Sequence, residues 1–236
     1  MKSVWRTAIL SALVLVFIAA CASFKPAQDL IQVDLKGQCL PAGTVDGEFD
    51  NIFNKTGLSK KDIAVSYYPQ DDVACLQFRY EFTTYYQFWG KSHRTAFITA
   101  LEKYKTDYAQ RDLTEKNTKS KRRYGTERMY VIWESSQFSQ QGFSYPNVEL
   151  GYRFVKGSPY FSVTMQDELN ENPLTKEMMP SSSNTILYFT RAQAENLAAS
   201  FNQEYLRSLR PVEKRTGSSE GEIDNSYTDA YTEGNF

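Results

Sequence analysis

Several side-chain sets in this sequence have the types and spacing to do chemistry. Lys116, Lys119, Lys121, Arg122 and Arg123 place five cations within eight residues. Such a run can hold a lipid headgroup, an anionic glycan or the acidic face of a partner. Its plainer reading is a solvated loop after a helix, whose charges complement the helix C-terminus. Gly217-Ser218-Ser219-Glu220-Gly221 has the GxSxG spacing of a nucleophile elbow. That motif needs a strand before it, a helix after it and a downstream histidine. His93 is the one histidine and lies upstream. It falls in the first turn of an expected helix with no orienting carboxylate nearby, so it reads as exposed and incidental. Asp46, Glu48 and Asp50 alternate like calcium ligands, but Asn51 and Gly57 stand where an EF-hand loop needs Gly and Glu. Asp71-Asp72 and Asp167-Glu168 are adjacent acids in expected loops. A carboxylate hydrolase would need two such groups at a set separation.

Composition narrows the classes. The chain has 236 residues, with 27 Lys and Arg against 28 Asp and Glu. A formal charge of −1 argues against binding nucleic acid through bulk charge. One histidine and no CxxC pair leave no zinc cluster, and no motif calls for a cofactor. The aromatics are dense: 16 Tyr, 15 Phe and 3 Trp, with the pairs Tyr67-Tyr68, Tyr85-Tyr86 and Phe88-Trp89. Exposed, such side chains make recognition surfaces. Buried, they fill a sheet core.

Residues 1–20 have the order of an export signal. Lys2 and Arg6 precede an uncharged stretch containing Leu13-Val14-Leu15-Val16-Phe17-Ile18. That run is shorter than the roughly 20 apolar residues a membrane-crossing helix needs. It ends in Ile18-Ala19-Ala20-Cys21, which resembles the lipobox of bacterial lipoproteins. The resemblance covers the first 21 residues. It implies a diacylglycerol thioether on Cys21, cleavage before it, and acylation of the new amino group. The protein would then sit in the bacterial envelope. Ala22 after the cysteine favours the outer membrane in a Gram-negative cell. Each buried CH₂ adds about 0.8 kcal/mol, so two or three acyl chains hold firmly where one does not. Removing Lys2 and Arg6 leaves 25 cations against 28 acids, a formal charge of −3. With Cys21 lipidated, Cys39 and Cys75 remain as an even pair in an exported chain. That favours a disulfide over two free thiols.

The elements that would position these residues follow from periodicity. Residues 21–45, with Pro26, Gly37, Pro41 and Gly43, read as a tether, followed by one domain over 46–210. A short helix is expected within Asp46–Lys55 and a strand over Ile63–Tyr68. In Ala74–Phe82, Leu76, Phe78 and Tyr80 alternate with Gln77, Arg79 and Glu81, giving a strand with one buried face, extended by Thr83–Trp89. Phe97, Leu101, Tyr104 and Tyr108 form one stripe of a helix from Ser92 to about Asp112. Strands are expected at Arg128–Ser135, Val148–Val155, Tyr160–Gln166 and Ile186–Phe189. A last helix starts at Thr190 with a Thr190/Gln193 capping box and stops at Pro211. Residues 211–236 read as a disordered tail. The expected fold is α+β: an antiparallel sheet of five to six strands with two main helices packed on one face. The expected function is a lipid-anchored, non-catalytic binding or structural module of the envelope, with an envelope protein or glycan as partner. Its candidate surface is Lys119, Lys121, Arg122 and Arg123 with Tyr85, Tyr86 and Trp89. The alternative is an envelope hydrolase using loop carboxylates.

Overall fold

A computed structural model describes residues 38–50, 57–136 and 140–210. Ten strands form one antiparallel sheet: β1 (Leu40–Asp50), β2 (Leu58–Tyr68), β3 (Val73–Tyr80), β4 (Thr83–Trp89), β5 (Arg123–Arg128), β6 (Val131–Ser135), β7 (Gln140–Ser144), β8 (Asn147–Val155), β9 (Ser158–Met165) and β10 (Thr185–Phe189). Their order is β5-β8-β9-β10-β1-β2-β3-β4-β6-β7. The sheet curls into a half-barrel. The helices are α1 (Lys91–Ala109), α2 (Lys119–Arg122), α3 (Arg191–Ser200) and α4 (Gln203–Ser208).

The expected fold is therefore corrected. Ten strands replace five or six, and short helices replace the two-helix layer. Three physical causes account for the difference. Thr83–Trp89 does not extend β3: the chain turns at Glu81 (φ 54°) and β4 pairs back, Phe78 opposite Tyr85. The strand expected at Arg128–Ser135 is the shorter β6, and a separate strand, β5, precedes it, with β5 at one rim of the sheet and β6 near the other. Within the span read as tether and short helix, Leu40–Asp50 is β1, whose Ala42, Val45 and Phe49 are buried; the rest of that span lies outside the described residues, apart from the two residues before β1.

Alternation sets the two surfaces of the sheet. Inner side chains build the main core, among them Ile63, Leu76, Phe78, Tyr85, Trp133, Leu150, Phe161, Val163 and Leu187. Phe97, Leu101 and Tyr104 of α1 join it, as the helical stripe requires; Tyr108 ends that stripe exposed. Full burial of each such side chain stabilises by about 1.5–3 kcal/mol. Phe97, Trp89, Phe161 and Phe201 form a nest of rings with centroids 5.1–5.8 Å apart. Thr190 Oγ1 accepts from Gln193 N, and Gln193 Oε1 accepts from Thr190 N, completing the expected capping box. The last helix breaks after Ser200 because Asn202 starts α4, its Oδ1 accepting from Glu204 N and Tyr205 N.

A polar network ties α1 and α4 to the β2–β3 turn. Arg94, 2% exposed, donates from Nη1 to the carbonyls of Asp72 (2.7 Å) and Trp89 (2.9 Å). Its Nη2 donates to Asp72 Oδ1 (2.8 Å) and Gln203 Oε1 (2.7 Å). Tyr67 and Gln203 also donate to Asp72 Oδ1. Burial pushes the Asp72 carboxyl up, but the donors Gln203, Tyr67 and Arg94 outweigh it and hold the group below its usual range.

Candidate functional site

The five-cation run does not lie in a free loop. Thr118 caps α2, its Oγ1 accepting from Lys121 N, and the chain passes directly into β5. α2 packs over the outer surface of β8, while β5 pairs beside β8 as the rim strand of the sheet. A Cβ on Gly151 would stand 2.2 Å from the Arg122 carbonyl oxygen, so only glycine lets α2 approach this closely. Register then sets the floor. Glu149, Gly151 and Arg153 of β8 stand opposite Thr164, Ser162 and Tyr160 of β9.

These residues enclose a cavity of about 140 Å³. Four cations line it (Lys119, Arg122, Arg123 and Arg153) with one carboxylate, Glu149. The net charge of the lining is +3. Glu149 is 8% exposed and accepts from Gln166 Nε2 (2.9 Å) and Arg123 Nη1 (3.3 Å), with Lys119 Nζ at 3.8 Å. It therefore orients two of the cations without neutralising Arg122 or Arg153. Ser162 and Thr164 add hydroxyls to the floor. Guanidinium forks beside hydroxyl donors suit an oxyanion, which takes bidentate hydrogen bonds from Arg.

The structure separates the aromatics from this site. Tyr85 is 1% exposed, stacked on Phe78, and its hydroxyl accepts from Ser183 N. Trp89 is fully buried in the ring nest. Tyr86 stands on the outer surface of β4, its hydroxyl donating to Glu134. Four strands lie between β4 and β9 in the sheet order, so the joint basic-aromatic surface does not form. Lys121 is exposed and does not line the cavity. Arg153, Ser162, Thr164 and Gly151 join the site through cross-strand register. The one sequence signal for them was a glycine inside a strand otherwise alternating in polarity.

The other candidates disperse. His93 is buried, 6% exposed. Its Nδ1 accepts from Gly90 N, and its ring also bonds the backbone at Phe88 and Arg128. Burial holds its pKa below the usual value, so it serves as a neutral structural group. Asp46 pairs with Lys60 (2.8 Å) and Asp50 accepts from Tyr188. The alternation read as calcium-like is that of a β-strand. Asp72 is committed to Arg94, while Asp71 and Asp167 are exposed. Among the described residues no group of three His, Cys, Asp or Glu converges to hold a metal. Cys39 and Cys75 are free thiols, one exposed and one buried. Cys39 stands just ahead of β1, and after burial it is the next influence raising the Cys75 thiol on β3. Cys21 and residues 217–221 lie outside the described residues.

The chain is thus an antiparallel half-barrel with a cationic cavity on its outer surface. A family model described as "Uncharacterised Treponema protein" matches residues 39–208, and the chain belongs to that bacterial family. No curated protein and no solved structure matches it. Among the described residues no helix is long and apolar enough to cross a membrane.

Proposed function

We propose that the protein is a lipid-anchored component of the bacterial envelope that binds an anionic group of an envelope glycan, without catalysis. The observation that carries this reading is the +3 lining of the β8–β9 cavity, with two hydroxyls in its floor. Charge and donor geometry favour a carboxylate, sulfate or phosphate group. The lipobox-like Ile18-Ala19-Ala20-Cys21 supports the anchor. Anchoring places a modestly acidic chain beside anionic polymers, so recognition has to come from a local cationic patch.

The test uses the full mature chain and an oligogalacturonate probe. Binding should weaken at least tenfold in the double variant Arg122→Glu/Arg153→Glu and fall as salt rises. Equal binding by that variant would remove the site. Mass spectrometry of the native product should find Cys21 as the lipid-bearing N-terminus. An unmodified chain beginning at Met1 would remove the anchor.

A further inference from the structure

The two rims of the sheet are treated differently. At β7 the 168–182 loop covers the edge: Glu171 N donates to the Phe143 carbonyl, Asn170 Oδ1 accepts from Phe143 N, and Asn172 and Thr175 donate to the Gln141 carbonyl. At β5 nothing equivalent is found among the described residues. Antiparallel pairing shows which groups are left over. Met129 N donates to the Pro146 carbonyl, so Met129 and Pro146 form a hydrogen-bonded pair. Because such pairs alternate, Glu127 opposite Val148 also points its backbone at β8, while Thr126 and Arg128 point theirs outward. The ring of His93 bonds the Arg128 backbone. The Thr126 N–H and C=O and the Arg128 N–H stand open.

Beside this edge runs a groove between β5 and α1, about 630 Å³ in volume. Small residues floor it: Thr95, Ala96, Thr99, Ala100 and, from β5, Gly125. A Cβ on Gly125 would meet no atom within 4 Å. The groove is therefore an open sheet edge with room alongside it for side chains.

We propose that β5 receives an extended acidic segment of another protein as an eleventh strand. Backbone hydrogen bonds at Thr126 and Arg128 would give affinity, and alternate side chains would enter the groove. Charge selects the occupant. Lys91 and Lys103 line the groove and Arg128 ends the strand, against one groove carboxylate, Glu127. Lys103 is shared with Asp107, but Lys91 and Arg128 have no carboxylate partner among the described residues. The same charges disfavour a second copy. Antiparallel self-pairing that sets Thr126 opposite Arg128 places Glu127 opposite its own copy, and opposed like charges destabilise a sheet.

Fluorescence anisotropy on the full mature chain tests this, with a labelled octapeptide alternating Glu and Val as the probe. The expected result is saturable binding, at least tenfold tighter than for the Lys/Val counterpart and for a copy N-methylated at alternate amides. Thr126→Pro removes an outward N–H without touching the β8 ladder and should weaken binding at least tenfold. Thr99→Trp fills the groove from α1 and should do the same, which decides the matter if the proline variant fails to fold. Equal binding of the N-methylated peptide, no binding at millimolar peptide, or a dimer formed through β5 would each overturn the proposal.

Discussion

Replacing Arg94 by Met keeps most of the aliphatic stem and removes four hydrogen bonds of 2.7–2.9 Å. The Asp72 and Trp89 carbonyls and Gln203 Oε1 each lose a donor, and Asp72 loses its cation. Breaking a buried pair by removing one partner costs about 3–5 kcal/mol. Asp72 retains Tyr67 and Gln203 as donors, and its side chain is 33% exposed, so water recovers part of the loss. The expected cost is therefore about 3 kcal/mol, at the low end of that range. In a domain of this size it lowers Tm by roughly 6–12 °C. Urea unfolding at pH 7, followed by far-UV circular dichroism, measures it directly. The penalty also depends on pH. The Asp72 carboxyl is held below its usual range in the folded protein, so the unfolded chain takes up its proton first on acidification. The contribution is present above about pH 4, the unfolded value, and is lost as pH falls through the lower folded value. Wild type and variant should thus converge in acid. A cost below about 1 kcal/mol at pH 7 would refute the assignment of Arg94 as the tie between α1, α4 and the β2–β3 turn.

Gly151→Ala drives a Cβ against the Arg122 carbonyl. It should displace α2 and weaken oligogalacturonate binding several-fold while leaving the Trp fluorescence of the core unchanged. Gln87 is fully buried in the half-barrel with Oε1 lacking a protein partner, its Nε2 donating to Met165 Sδ. Gln87→Leu should raise stability by about 1 kcal/mol in urea unfolding; a loss of similar size would show that the amide is satisfied. Burial pushes the Cys75 thiol pKa up, leaving little thiolate, whereas Cys39 is exposed. Peptide mapping after native alkylation should find Cys39 modified and Cys75 not. Protection of both until reduction would instead reveal a disulfide.

What the sequence disclosed was governed by alternation. The hairpin β8–β9, the stripe on α1 and the Thr190 cap were legible because apolar spacing and a capping box are local signals. β1 and β7 were hidden by glycines, which read as loop punctuation. Gly47 lies under Ile63 and Phe189, and Gly142 lies against the Trp133 indole, where a Cβ would be 2.5 Å away. Those glycines are packing partners for large side chains. β5 was hidden because Arg-Tyr-Gly-Thr-Glu-Arg is a rim strand with little to bury. The candidate site was half legible for the same reason. Its cations stand together in the chain, but Arg153, Ser162 and Thr164 reach them through the register of β8 on β9. No local pattern encodes that register.

The central claim is that an anion is held over the β8–β9 floor beneath α2. Amide chemical-shift mapping of the full mature chain, titrated with oligogalacturonate, tests it most directly. The expected perturbations centre on Gly151, Ser162, Thr164 and the amides of Lys119 to Arg123, and they vanish in Arg122→Glu/Arg153→Glu. Shifts confined to other surfaces, or unchanged in that variant, would contradict it.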